Sequence, residues 1–494
     1  MRLHRSRGAL AAAGVLLALI SGPTAQEQTT TLPYSLALDP DAARDLVEAI
    51  QSGAAYVPGE LIVKFRDGYS DTARTRALST IRGGVSGLRT RWVGDAIVLG
   101  TPGEPDAELA AQLLQRQPEI EWAQPNYLRR RRLVPNDPQY SIQWHLNTVE
   151  LQAAWDINPG ASSNVTIAVI DSGLTTATQT VPFRMWTGTR FETVSIPFAA
   201  NPDVPTSRVV SARDFVFWTG PVLDMDGHGS HVAGTAVQET NNSVGTAGVA
   251  FGARLMPLKV CLGYWDLVFL QGELGIPGAV PPDAGGCPDS AMATALRFAA
   301  DNGAQIINMS LGGPGETPAL RQALQYAVQR GSFVTLPAGN GFEEGNQPEY
   351  PAAYAAQIDG AVEVGAVGRS RRRAFYSTTG THVELAAPGG DPFDGGSTGL
   401  IFQTAPAFTD FDPSLARPRF DRYAIIGATG TSSAAPYAAG VAALLHSQGI
   451  TKPAAIEAAL KQTATDLGAT GRDNDFGHGL INARTALRGM GLAK

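Results

Sequence analysis

Five near-continuous apolar runs constrain the fold most: NVTIAVID (164–171), ARLMPLKV (253–260), AQIINMSL (304–311), SFVTLPAG (332–339) and AAQIDGAVEVGAV (355–367). A strand solvated on one face alternates apolar and polar residues; a strand covered on both faces has no reason to alternate. Helix-like stretches lie between several runs, notably 290–302 and 318–330. The pattern predicts an α/β unit over 133–494 with a doubly wound, mainly parallel sheet, in which working groups collect at the carboxyl ends of the strands.

The chain ahead of Pro135 has a different texture. GELIVKFRDG (59–68) alternates and ends in an Asp-Gly turn, followed by a helix over 70–81, a strand around 91–99, a helix over 107–115 and a last strand, IEWAQPNY (120–127). This predicts a small α+β domain over 56–132, with helices on one face of an antiparallel sheet. It ends at four consecutive arginines, 129–132, an exposed cleavage region. Residues 26–55 are polar and read as a leader or linker with one helix near 42–50.

At the start, Arg2, Arg5 and Arg7 precede an apolar stretch over 9–20 and small residues through Ala25, the layout of a secretory signal peptide over 1–25. The stretch falls short of the roughly 20 residues a membrane-spanning helix needs, and no other segment reaches that length. The chain is therefore expected to be secreted, outside the cell or in the periplasm of a Gram-negative source, with no transmembrane segment in the mature form. Its formal net charge is −7 and its one basic run is short, which excludes a phosphate-tracking nucleic-acid surface. The two cysteines, Cys261 and Cys287, read in an exported chain as a disulfide, the alternative being two free thiols. With no histidine at a ligand-like spacing they make a poor zinc site.

Three short motifs sit where strands of the large unit should end. In AVIDSG (168–173) Asp171 closes a buried strand; in DGHGSHVAGT (226–235) His228 opens a small-residue helix while His231 falls inside its first turn; in GATGTSSAAPYAAGVAALL (427–445) Ser432 stands at a helix start, where free backbone N–H groups favour developing negative charge. Taken singly, Asp171 is an ordinary turn residue, His228 a structural histidine and Ser432 an N-cap. Taken together they supply what a serine nucleophile needs: a base for its proton and a carboxylate to hold the tautomer of that base.

AVIDSG, DGHGSHVAGT and GTSSAAP resemble, in that order, the catalytic motifs of the subtilase family. The resemblance implies a serine endopeptidase with Asp171, His228 and Ser432 as triad and no cofactor in catalysis. It implies that PAGN (337–340) contributes Asn340 to the oxyanion hole. It further implies that Ser310, Leu311, Gly312 and Gly313 of NMSLGG pair with an extended protein or peptide substrate, and that the 56–132 domain is a propeptide that assists folding and then inhibits the enzyme. A structural calcium site is also implied, with Asp137, Asp203 and Asn242 as oxygen ligands, the number of such sites left open, and the chain is expected to be a monomer.

The pattern departs from the family's in two places. A long insertion over 175–200, expected as a surface loop beside the cleft, separates Asp171 from His228, and Ser433 stands where a Met commonly follows the serine. By the same resemblance Glu349, just before Tyr350 and Pro351, lies at the floor of the primary specificity pocket, where an acid would favour Arg or Lys before the scissile bond.

Overall fold

The computed structural model describes residues 40–52, 54–81, 89–100, 106–128, 133–217, 220–407 and 418–489. The signal peptide expected over 1–25 and the arginines at 129–132 lie outside the described residues. The chain forms two compact units, Met1–Leu128 and Arg129–Lys494.

The first unit runs α1 (Pro40–Ser52), β1 (Tyr56–Phe65), α2 (Asp71–Leu78), β2 (Arg89–Val93), β3 (Ala96–Gly100), α3 (Ala107–Gln115) and β4 (Ile120–Tyr127). Its sheet has the order β2-β3-β1-β4 and is antiparallel throughout. Ser70 and Asp106 cap α2 and α3 by accepting from Ala73 N and Leu109 N. One face of α3, with Ala107, Ala110, Ala111 and Leu114, closes over Leu61, Val63, Leu99 and Ile120. The single strand expected at 91–99 is instead the hairpin β2–β3, because Gly94, with φ +61°, and Asp95 form a two-residue turn that pairs Val93 with Ala96.

In the second unit the short helices α4 (Trp144–Thr148) and α5 (Leu151–Trp155) lead into β5 (Thr166–Asp171). There follow β6 (Gln179–Trp186), β7 (Phe191–Phe198), β8 (Arg213–Asp214), α6 (His228–Val237), β9 (Arg254–Lys259), α7 (Tyr264–Leu274), α8 (Asp289–Asp301), β10 (Ile306–Asn308), α9 (Pro318–Gln329), β11 (Phe333–Pro337), β12 (Ala361–Val367) and β13 (Leu385–Pro388). The last hairpin, β14 (Ile401–Pro406) with β15 (Tyr423–Ala428), precedes α10 (Thr431–Ser447). Every one of the five apolar runs supplies a strand.

Those strands join a seven-stranded sheet of order β13-β12-β11-β10-β5-β9-β8, parallel in all its pairings. Alternate residues of one strand feed two cores. Ile167 and Val169 pack with Val232 of α6 and Ala435 of α10, while Ala168 and Ile170 pack with Leu296 of α8 and Leu324 of α9. Burial on both faces is the physical reason these strands do not alternate. Among the described residues no helix is long and apolar enough to cross a membrane.

The insertion over 175–200 is not the surface loop expected. β6 and β7 pair from Gln179–Phe198 to Trp186–Phe191, and Phe183, Ile196 and Phe198 form a small core with Phe269 of α7 and Phe420. Phe183 stacks on Phe269 with ring centroids 4.2 Å apart. The alternation of VPFRMW and TVSIPF, apolar on one face, carries this hairpin.

Candidate active site

Asp171, the last residue of β5, is 1% exposed. Its Oδ1 accepts from His228 Nδ1 at 2.7 Å and from Ser172 N at 2.7 Å, while Oδ2 is buried with no hydrogen-bond partner among the described residues. An orphaned buried carboxylate oxygen makes the imidazole the principal compensation for this charge. Burial alone would lower the His228 pKa, but Asp171, with Asp226 and Asp224 behind it, overrides this and raises it from 6.5 to about 9. The first turn of α6 can lie this close to β5 because residue 229 is glycine: a Cβ there would sit 2.3 Å from Gly173 O.

Asp224, fully buried, ties these two elements together. Its Oδ1 accepts from Ser172 Oγ, Asp226 N and Gly227 N, and its Oδ2 accepts from Ser230 N and Ser230 Oγ, at 2.6–3.1 Å. Ser172 Oγ in turn accepts from Gly229 N at 2.8 Å. Beneath this network Lys259, paired with Asp171 in the β5–β9 register, donates to Ser172 O at 2.6 Å and meets Asp266 of α7 at 3.1 Å. Burial pushes the Asp266 carboxyl up to about 6 even against that cation. His231 points away: its Nε2 meets Ile401 O at 3.0 Å, and burial lowers its pKa to about 4.

Ser432 stands in the first turn of α10. The position a Cβ would take on Gly430 is 3.0 Å from Ser432 Oγ and 3.6 Å from Asn340 Nδ2, so hydroxyl and amide converge on one point. The Asn340 amide is oriented by Thr431, whose backbone N and Oγ1 both donate to its Oδ1, leaving Nδ2 free to donate. Thr431 Oγ1 also accepts from Gly339 N. Ser310 Oγ donates to Ser432 O at 2.8 Å and accepts from Asn308 Nδ2.

Asp171, Ser172, His228, Asn340, Thr431 and Ser432 line one cleft of about 500 Å³. Ser310, Leu311 and Gly312 form part of its wall, but Gly313 does not; the backbone of Gly313 pairs in both directions with Tyr350. Glu349 reaches in between two glycines: a Cβ on Gly339 would lie 2.4 Å from its Oε1, and one on Gly312 would lie 3.2 Å from its Oε2. Oε1 accepts from Asn340 N at 3.2 Å, and burial raises the carboxyl's pKa. Asp226 and the bonded pair Cys261–Cys287 lie on the same cleft, whereas no residue of the β6–β7 hairpin does.

A profile of the family described as "Subtilase family" matches residues 162–479, and one described as "Fervidolysin N-terminal prodomain" matches residues 42–126. The chain belongs to the subtilase family. It is 32% identical over 439 residues to a thermophilic serine proteinase of Bacillus sp. (strain AK1), covering 88% of each chain. It is 32% identical over 357 residues to thermitase of Thermoactinomyces vulgaris, covering 72% of this chain and 99% of that one. Fervidolysin from Fervidobacterium pennivorans shares the fold, with a TM-score of 0.50 at 22% identity over 88% of this chain and 61% of that one. The chain is thus a subtilisin-like serine protease with an N-terminal prodomain.

In this subtilase the three residues expected to bind calcium lie together. Asn242 N donates to Asp137 Oδ1 at 3.4 Å, and Asn242 Nδ2 donates to Asp203 Oδ1 at 2.9 Å. Both carboxylates are buried, and burial, with a contribution from the Asp137 charge, raises Asp203 to about 6. No group of three or more His, Cys, Asp or Glu suited to a metal occurs among the described residues. Asp137 Oδ2 also accepts from Asn241 N, Asp203 Oδ2 from Thr246 N and Thr404 Oγ1, and Asn242 Oδ1 from Val244 N, so the site gathers oxygen atoms, the donor class of a hard cation such as calcium and not of zinc, with N–H and O–H groups as their present partners.

The sequence reading missed Asp224, Asp226, Thr431 and Lys259. Asp224 and Asp226 carry a local signal, acids just ahead of a helix start. Lys259 carries none, since a lysine ending an apolar run reads as a strand leaving the core.

Proposed function

We propose that this subtilase is a secreted, self-processing endopeptidase in which Ser432 is the nucleophile, His228 the general base and then acid, Asp171 the group that orients it, and Asn340 an oxyanion donor. The observation that carries this is the 2.7 Å bond from Asp171 Oδ1 to His228 Nδ1 in the cleft that also holds Ser432 and Asn340. With Nδ1–H held by Asp171, His228 Nε2 is the acceptor. Ser432 Oγ attacks the peptide carbonyl carbon and its proton passes to Nε2, while Asn340 Nδ2–H and Ser432 N–H stabilise the oxyanion. The C–N bond breaks, the amine leaves with the proton from Nε2, and water, activated by the same nitrogen, hydrolyses the acyl-enzyme.

Glu349 gives the site a preference for Arg or Lys before the scissile bond, because its half-buried carboxylate is worth more to a cation than an exposed one. The arginines at 129–132 place such residues next to the boundary between the two units, where the precursor is cut. Asp137, Asp203 and Asn242 would hold calcium, which would neutralise two buried carboxylates and stabilise the fold.

Time-dependent self-cleavage of purified precursor near residues 128–135, absent in Ser432→Ala, is the expected result. Equal cleavage in that variant overturns the proposal.

A further inference from the structure

The proposed oxyanion donors belong to two separate segments: Asn340 stands in the loop after β11, and the Ser432 amide in the first turn of α10. Both must reach a single oxygen atom, so their separation matters. One residue outside the cleft wall holds both segments. Tyr376 is 7% exposed and does not line the cleft. Its backbone O accepts from Phe342 N at 3.1 Å, two residues after Asn340, and its hydroxyl accepts from Gly430 N at 2.8 Å, two residues before Ser432. The hydroxyl proton is directed at the carbonyls of Gly389 and Gly390, 2.8 and 2.7 Å away, just beyond β13. Gly389 N in turn donates to Val367 O at the end of β12, which ties the clamp to the sheet. Two residues after Tyr376, Thr378 N donates to Gly339 O at 3.0 Å, beside Asn340.

A phenol hydroxyl offers one donor and two acceptor positions, and Tyr376 uses both kinds. Gly430 is where this bears on the site. Its φ is +144°, and a Cβ on it would lie 3.0 Å from Ser432 Oγ, so a rotation there would swing the Ser432 hydroxyl and amide together. Gly430 N also reaches Gly389 O at 3.0 Å, so loss of the hydroxyl would loosen this turn without detaching it. We infer that Tyr376 is a positioning residue that sets the spacing of the two oxyanion donors, clamping the Asn340 loop through its backbone oxygen and the approach to Ser432 through its hydroxyl. Donors displaced by a fraction of an ångström still admit the ground-state carbonyl but match the tetrahedral oxyanion less well. The loss therefore falls on kcat and not on KM.

The inference rests on the reading of Ser432 as nucleophile and Asn340 as oxyanion donor, and the failure of that reading registers separately, as activity retained in Ser432→Ala. Tyr376→Phe, which removes only the hydroxyl, is compared with Tyr354→Phe. There another buried tyrosine loses a hydroxyl that accepts a backbone N–H, that of Thr317 at 2.8 Å. Mature enzymes are assayed on a peptide p-nitroanilide, with kcat expressed per active site titrated by a fluorophosphonate, so that any misfolded fraction cancels. Tyr376→Phe should lower kcat about tenfold and leave KM within about twofold. It should raise the Ki of a peptide aldehyde, whose hemiacetal oxygen takes the place of the oxyanion, by about the factor by which kcat/KM falls. Tyr354→Phe should move none of these quantities. In an Asn340→Ala background, where no spacing between two donors remains to be set, Tyr376→Phe should cost less than about threefold in kcat. A kcat within about twofold of wild type, a loss carried by KM, an unchanged aldehyde Ki, an equal loss in Tyr354→Phe, or the full loss in the absence of Asn340 overturns the inference.

Discussion

The imidazole of His228 is set by the acids around it. Asp171, Asp226 and Asp224 together outweigh the effect of burial and hold its pKa near 9 instead of 6.5. A protonated imidazole cannot accept the Ser432 proton, so the free mature enzyme should gain kcat/KM as pH rises, along an acid limb centred well above 6.5. Stability has the opposite sign: the folded state favours the imidazolium, so this contribution is fully present below pH 6.5 and is lost as pH rises through about 9. A pH–rate profile with its acid limb at or below 6.5 would contradict the electrostatics described. The proposed triad, Asp171, His228 and Ser432, could be picked out in the sequence because each residue sits in a short motif at a strand end or helix start. Glu349 was legible only through the neighbouring Tyr350 and Pro351, and Asp226, which shares the cleft, was not distinguished from an ordinary turn residue.

At the scale of elements, the site depends on holding the end of β5 against the start of α6. Asp224 does this with five hydrogen bonds that reach Ser172 on one side and Gly227 and Ser230 on the other. Replacing it with Ala leaves several buried donors unmatched, and Asp224→Ala should cost about 3–5 kcal/mol of stability, read as a fall in Tm, together with a loss of kcat/KM. A variant with wild-type Tm would show that the network is dispensable. Such a network is invisible to pattern reading, since Ser172 and Asp224 are 52 residues apart. The β2–β3 hairpin is hidden for a different reason: Trp92 and Val93 run on across Gly94-Asp95 into Ala96–Leu99, so the short turn reads as a break within one strand. The β6–β7 hairpin is visible in the alternation of its two arms, but its place inside an insertion suggests a surface loop; its apolar face packs on Phe269 and Phe420. The parallel strands, in contrast, were legible from composition alone because both their faces are covered.

The molecule as a whole combines a prodomain and a subtilase unit in one chain, and two predictions belong to this scale. If calcium occupies the loop of Asp137, Asp203 and Asn242, chelation should lower the Tm of wild type and leave Asp203→Asn, already weakened, nearly unmoved; equal shifts in both would refute the site. The central claim is that Ser432 is a nucleophile activated by His228 and Asp171, and covalent labelling tests it most directly. The mature enzyme treated with a fluorophosphonate should carry the adduct on the peptide containing Ser432, located by tandem mass spectrometry, with labelling slowed by orders of magnitude in His228→Ala. An adduct on another residue, or undiminished labelling without His228, would contradict the account.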